Sequence, residues 1–191
     1  MTTILGLTGS IGMGKSTTAQ MFRDAGIPVW DADAAVHALY APTGPAPKLF
    51  HATFPGSVGP DGHVDRAYLR TLIAKDPGVL DQINAIIHPL VAQVRADFLK
   101  RHNGLVVLDV PLLFETGLEA RCDKVAVVSV DAKTQKARVL ARGTMTDEDF
   151  DAILSRQVPD AEKRRKADYI IDTSTIDVAQ DAVNSIIAEL T

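Results

Sequence analysis

The chain has a single cysteine, Cys122, among 191 residues. One cysteine excludes an intrachain disulfide and any zinc site built on paired thiolates. Long apolar runs are also missing. The run Ile4-Leu5-Gly6-Leu7 is too short for the apolar stretch of a secretory signal, and no basic segment precedes it. Nothing approaches the roughly 20 apolar residues that span a bilayer. Positive charge is not in excess: 20 Lys and Arg stand against 24 Asp and Glu, for a net charge of -4. That balance argues against broad contact with nucleic acid or an anionic membrane, while leaving room for a local basic cleft. No internal repeat or low-complexity segment occurs, and no obligate protein partner is evident. These features predict a cytoplasmic protein. The 46% hydrophobic and 23% charged residues are the composition of an ordinary globular domain.

What the chain does have is a pattern of short apolar strands alternating with helices. Strands are expected at Ile4–Thr8, Ile27–Trp30, Leu105–Leu108, Lys124–Val130 and Tyr169–Ile171. Helices are expected at Lys15–Ala25, with Gly26 as its C-cap, at Ala34–Tyr40, and at Ile176–Leu190. Asp131 and Thr146 read as N-caps, the latter for a helix over Asp147–Arg156. Near-continuous apolar strands interleaved with helices imply a parallel five-stranded sheet covered on both faces, an α/β fold of three layers, α/β/α. Two stretches break the alternation. Residues 41–64 are punctuated by proline and glycine and read as a loop-rich connection, ordered in part around Leu49, Phe50 and Phe54. Residues 65–102 read as consecutive helices. In them Leu80, Ile83, Ile87, Leu90, Val94 and Phe98 form one apolar stripe, and a helix end or kink is expected at His88-Pro89.

Between the first strand and the first helix lies Gly9-Ser10-Ile11-Gly12-Met13-Gly14-Lys15-Ser16, the G-x-x-x-x-G-K-[ST] phosphate-binding pattern in its proper setting. Glycines free the backbone to curl, and the amides from Gly12 through Met13, Gly14, Lys15 and Ser16 to Thr17 face inward at a helix N-terminus that favours anions. Lys15 supplies an ammonium for the β- and γ-phosphates of ATP, and the Ser16 hydroxyl is a ligand for Mg2+. No Asn-Lys-x-Asp base-reading motif is present, which sets the chain apart from GTPases.

Asp31-Ala32-Asp33 ends the second strand, on the rim where open α/β sheets bind ligands. One of these carboxylates is suited to accept a proton from an attacking hydroxyl or to hold magnesium through water; either could also cap the next helix. Asp109 ends the third strand and is a second candidate near magnesium. The apolar residues of Pro111–Glu115 read as packing. Arg138 and Arg142, four apart on one helix face, could clamp a transferring phosphate or be a solvated pair. Lys163, Arg164, Arg165 and Lys166 read as mostly solvated surface. His88 fits a helix end, a core position or a substrate contact.

Taken together these motifs resemble the dephospho-coenzyme A kinases. The resemblance rests on the opening Ile4–Ser16, Asp31-Ala32-Asp33, Ile87-His88-Pro89, Asp109–Glu115, Ile153-Leu154-Ser155-Arg156-Gln157 and Ala167–Asp172, in that order over nearly the whole chain. It implies a P-loop NTPase-type fold in three parts. Residues 1–64 and 103–191 would form the nucleotide-binding core, with a lid at about 138–157, and residues 65–102 a helical substrate domain. It implies transfer of the γ-phosphoryl group of ATP to the ribose 3′-hydroxyl of dephospho-coenzyme A. Asp33 would be the base, Lys15 a phosphate ligand and Arg142 a lid contact to ATP, with Asp33, His88 and Leu112 on the substrate side. The alternatives are another P-loop kinase, such as one acting on nucleoside monophosphates, and an ATP-binding module without catalysis.

Overall fold

The computed structural model describes residues 2–191. Its sheet has five parallel strands: β1 (Thr2–Thr8), β2 (Val29–Asp31), β3 (Gly104–Asp109), β4 (Lys124–Ser129) and β5 (Tyr169–Asp172), in the spatial order β2-β3-β1-β4-β5. Every pairing is parallel, so the carboxyl ends of all five strands share one edge. Alternation along the strands sorts residues to the two faces. Leu5 and Leu7 of β1, Leu105 and Val107 of β3, and Ala126 and Val128 of β4 pack into one cluster. Ala19, Met21 and Phe22 from α1 (Lys15–Asp24) join it, as do Ala179, Val183 and Ile186 from α9 (Ile176–Leu190). Gly26 follows α1 at φ 79°, the left-handed turn expected of its position.

The chain divides into two compact units, residues 1–31 with 102–191, and residues 32–101. The second therefore takes in residues 32–64, which the family resemblance assigned to the first. Its helices are α2 (Ala32–Tyr40), α3 (Ala46–Thr53), α4 (Arg66–Lys75) and α5 (Val79–Arg101). Leu39, Phe50, Phe54, Val64, Leu69, Ile83 and Ile87 form its core. Two expectations change here. The proline- and glycine-rich stretch contains a true helix, α3, with Pro47 in its first turn, where a missing N–H costs nothing. And of the end or kink expected at His88-Pro89, the end does not occur, because α5 runs through Pro89. Proline there frees the carbonyl of Ala85, and both residues are solvent-exposed, so water can satisfy that carbonyl. The apolar stripe of α5 is buried at Ile83 and Ile87, while Leu80 at its start is exposed, as is Leu49 of α3.

The first unit also contains α6 (Ala132–Leu140), α7 (Asp147–Leu154) and α8 (Asp160–Lys166). Asp131 caps α6 by accepting from the Thr134 amide, and Thr146 caps α7 in a reciprocal pair with Asp149. Of the charge run read as mostly solvated, Arg164, Arg165 and Lys166 are exposed, but Lys163 of α8 is not. It is 0% exposed, and its Nζ lies 2.9 Å from Glu115 Oε1. Glu115 also accepts from the Val158 amide at 2.8 Å. Burial pushes the Glu115 carboxyl upward, but the bonds from Lys163 and Val158 outweigh it and hold the group below its ordinary 4.5. A carboxylate depressed in the fold stabilises it above its unfolded pKa and loses that contribution as pH falls through the folded value. Glu115→Ala should cost about 3–5 kcal/mol in urea unfolding, because it strands a buried ammonium. Wild type should lose stability below pH 4.5 more steeply than this variant.

Candidate active site

The loop from Gly9 to Gly14 joins β1 to α1 at the carboxyl edge of the sheet, next to β3 on one side and β4 on the other. Gly14 is the N-cap of α1 at φ 91°, a conformation that a side chain would strain. The first turn of α1 leaves the amides of Lys15, Ser16 and Thr17 without helical acceptors, which creates an anion site. Met13 behaves otherwise than expected. Its amide closes a turn onto the Ser10 carbonyl at 3.2 Å. Its side chain is buried in the core, where Sδ accepts from the Val130 amide at 3.2 Å. The Met13 carbonyl accepts from Thr173 Oγ1 at 2.7 Å.

Lys15 Nζ lies 2.6 Å from Asp109 Oδ1. Asp109 is 2% exposed; burial raises its pKa, and the neighbouring Lys15 opposes that rise without cancelling it. The Ser16 hydroxyl and the Asp109 carboxylate are hard oxygen donors of the kind magnesium takes, which fits an ion that draws its other ligands from phosphates and water. Among the described residues no cluster of three or more His, Cys, Asp or Glu could hold a metal.

A cavity of about 420 Å³ opens beside the loop, lined by Gly12, Gly14, Thr17, Arg138, Arg142 and Ile176 among others. The two arginines differ. Arg138 is fixed: it donates to the Thr173 carbonyl at 2.7 Å and to Thr173 Oγ1 at 3.2 Å. Arg142 lies past the end of α6, not on its face, and its exposed side chain enters no ion pair among the described residues. Thr173 carried no motif that marked it in the sequence; its role is visible only once β5 is placed beside β4.

The two aspartates at the end of β2 and just beyond it, Asp31 and Asp33, also separate. Asp31 is in register with Asp109, with Arg23 Nη2 3.7 Å away. Asp33 falls in the first turn of α2, exposed, with no ion pair to its carboxylate among the described residues. His88 is exposed on α5 of the second unit, and Leu112 is exposed after β3 in the first.

A parallel sheet ordered β2-β3-β1-β4-β5, with a phosphate loop between β1 and α1, defines a P-loop kinase fold. The dephospho-CoA kinase family model, CoaE, matches residues 3–177. A dephospho-CoA kinase from Jannaschia sp. (strain CCS1) is 54% identical over 193 aligned positions, covering 100% of this chain and 98% of its own. The crystal structure of TT1252 from Thermus thermophilus superposes with a TM-score of 0.87 at 34% identity, covering 99% of this chain and 98% of that one. A dephospho-CoA kinase from Campylobacter jejuni shares the fold, with a TM-score of 0.71 at 24% identity over 100% of this chain and 98% of its own. The chain belongs to the dephospho-CoA kinase family. It is thus a kinase, with ATP as phosphoryl donor, in a family whose name gives dephospho-CoA as the acceptor and whose reaction is the final step of coenzyme A synthesis.

Proposed function

We propose that this chain moves the γ-phosphoryl group of ATP to the ribose 3′-hydroxyl of dephospho-CoA, with Lys15, Arg142 and Asp33 as its working residues. The observation that carries the reading is the phosphate loop, with the Lys15 ammonium, opening on a cavity that Arg138 and Arg142 line. The free amides of the first turn of α1 and the Lys15 ammonium bind the β- and γ-phosphates. The adenosine sits in the cavity between the loop and the start of α9, near Thr175 and Ile176, with the Arg142 guanidinium laid against it.

Ser16 and Asp109 hold magnesium, which when bound neutralises charge on the phosphates. Asp33 accepts the proton of the attacking hydroxyl; its exposed carboxylate is available for this, whereas Asp31 has Arg23 beside it. Residues 138–157 act as a lid that brings Arg142 over ATP and excludes water, so that the phosphoryl group reaches the acceptor and is not hydrolysed. The helical unit receives dephospho-CoA through His88, and Leu112 is a further substrate-binding residue. The chain works in the cytoplasm on a small molecule, without nucleic acid, membrane or obligate protein partner; no helix among the described residues is long and apolar enough to cross a membrane.

With purified protein, ADP release in the presence of magnesium should depend on dephospho-CoA and stay at background with AMP, CMP or shikimate. Equal turnover on a nucleoside monophosphate would overturn this reading in favour of a nucleotide kinase. ATP binding without consumption by any of these acceptors would point to a binding module.

A further inference from the structure

Ile11, in the middle of the phosphate loop, has both polar groups of its backbone held by side chains. Its N–H donates to Gln157 Oε1 at 3.1 Å, and its C=O accepts from Gln135 Nε2 at 2.7 Å. The chemistry assigns the two amides without ambiguity, because an N–H needs an oxygen and a carbonyl needs an NH2. Gln135 lies on α6 and is 3% exposed, so its carboxamide is fixed by packing. Gln157 follows α7. The chain between these glutamines carries Arg138 and Arg142. On the Gln135 side the approach is close: a Cβ at Gly12 would lie 2.9 Å from the Gln135 carbonyl oxygen and 2.6 Å from Val139 Cγ2. Neither glutamine touches the cavity beside Arg142, and neither is needed to cap a helix.

We infer that Gln135 and Gln157 are positioning residues for nucleotide binding. Together they clamp the Ile11 backbone from its two polar sides, setting the curl of the phosphate loop and tying it to both ends of the arginine-bearing segment. The inference rests on the reading that this loop takes the phosphates of ATP. A loop so held presents its amides already oriented, and affinity lost to ordering is recovered in advance. The segment between the glutamines is anchored at both ends to the loop that it serves.

The two bonds run in opposite directions, and this gives a test that general damage to the fold would not mimic. Gln157→Ala and Gln135→Ala should each weaken binding of a non-hydrolysable ATP analogue, and raise KM for ATP, about five- to tenfold, the scale of one lost hydrogen bond to an ordered group. KM for dephospho-CoA should stay within about twofold, since the loop binds only the donor. Gln157→Glu should restore ATP affinity, because a carboxylate still accepts from the Ile11 N–H. Gln135→Glu should not, because a carboxylate has no hydrogen to give the Ile11 carbonyl. Both glutamates add the same charge, so repulsion of ATP alone would make them behave alike, and that result would overturn the inference. Alanine variants that bind the analogue as wild type does would overturn it too. If Gln135→Ala fails to fold, as a buried site allows, the Ala-against-Glu comparison at Gln157 decides alone. Wild type that fails to bind the analogue would overturn the ATP reading itself.

Discussion

Lys15→Met should lower kcat/KM for ATP about a thousandfold, the scale of losing a charged ligand to the transferring group. On the proposed function the ammonium would face phosphate oxygens on which negative charge is concentrated, and a methionine of similar length fills the space without the charge. The same substitution should also destabilise the protein in the absence of nucleotide. Lys15 Nζ is 2.6 Å from Asp109 Oδ1, and Asp109 is buried, so removing the lysine strands a carboxylate whose pKa burial already raises. The two effects can be separated. Adding Asp109→Asn to Lys15→Met should recover much of the stability in urea unfolding and none of the turnover. Recovery of turnover would show that the loss came from the fold and not from the missing charge.

Asp33→Asn should lower turnover by about a hundredfold or more while leaving the affinity for an ATP analogue within about twofold. The size is that of a lost general base. Asparagine keeps the shape and the helix-start position but has no basic oxygen for a hydroxyl proton. The substitution is well placed for such a test: Asp33 is exposed in the first turn of α2, with no ion pair to break among the described residues. Asp31→Asn is the control, since it touches the Arg23 pair and should move turnover far less. Equal losses at the two positions would reassign the base.

Most of what orders the sheet could be read in the residues themselves. β1, the phosphate loop and α1 follow from an apolar run, a glycine pattern and a capped helix, all local signals. The span of α9 was legible to the residue, from Ile176 to Leu190, and the structure adds Thr175 as its side-chain N-cap. Features set by distant neighbours were not. α3 sits in a stretch that proline and glycine mark as loop, and it is the burial of Phe50 against Leu39 and Ile83 that makes it a helix. Lys163 looked like one of four surface cations; its burial depends on Glu115, 48 residues earlier in the sequence, since 163 minus 115 is 48. Thr173 and Gln135 belong to no motif, and the motif that ends at Gln157 does not say what that side chain touches. Each matters because a strand or helix carries it to the backbone of the phosphate loop, more than a hundred residues away in the chain. Met13, in turn, was legible as a loop position but not as a core residue, because nothing local says that its thioether faces Val130.

The contact between Lys15 and Asp109 makes nucleotide capture an exchange of one anion for another. On the proposed function, a triphosphate would not meet a free ammonium; it would take the ammonium from a carboxylate already seated on it. The affinity for ATP would then be a difference, diminished by an internal rival that never leaves the molecule. The same rival favours departure of the spent nucleotide, because Asp109 stands ready to reclaim the lysine as ADP withdraws. Removing that carboxylate would free the ammonium and at the same time take away a proposed magnesium ligand, so its two effects on the grip on the donor would oppose each other.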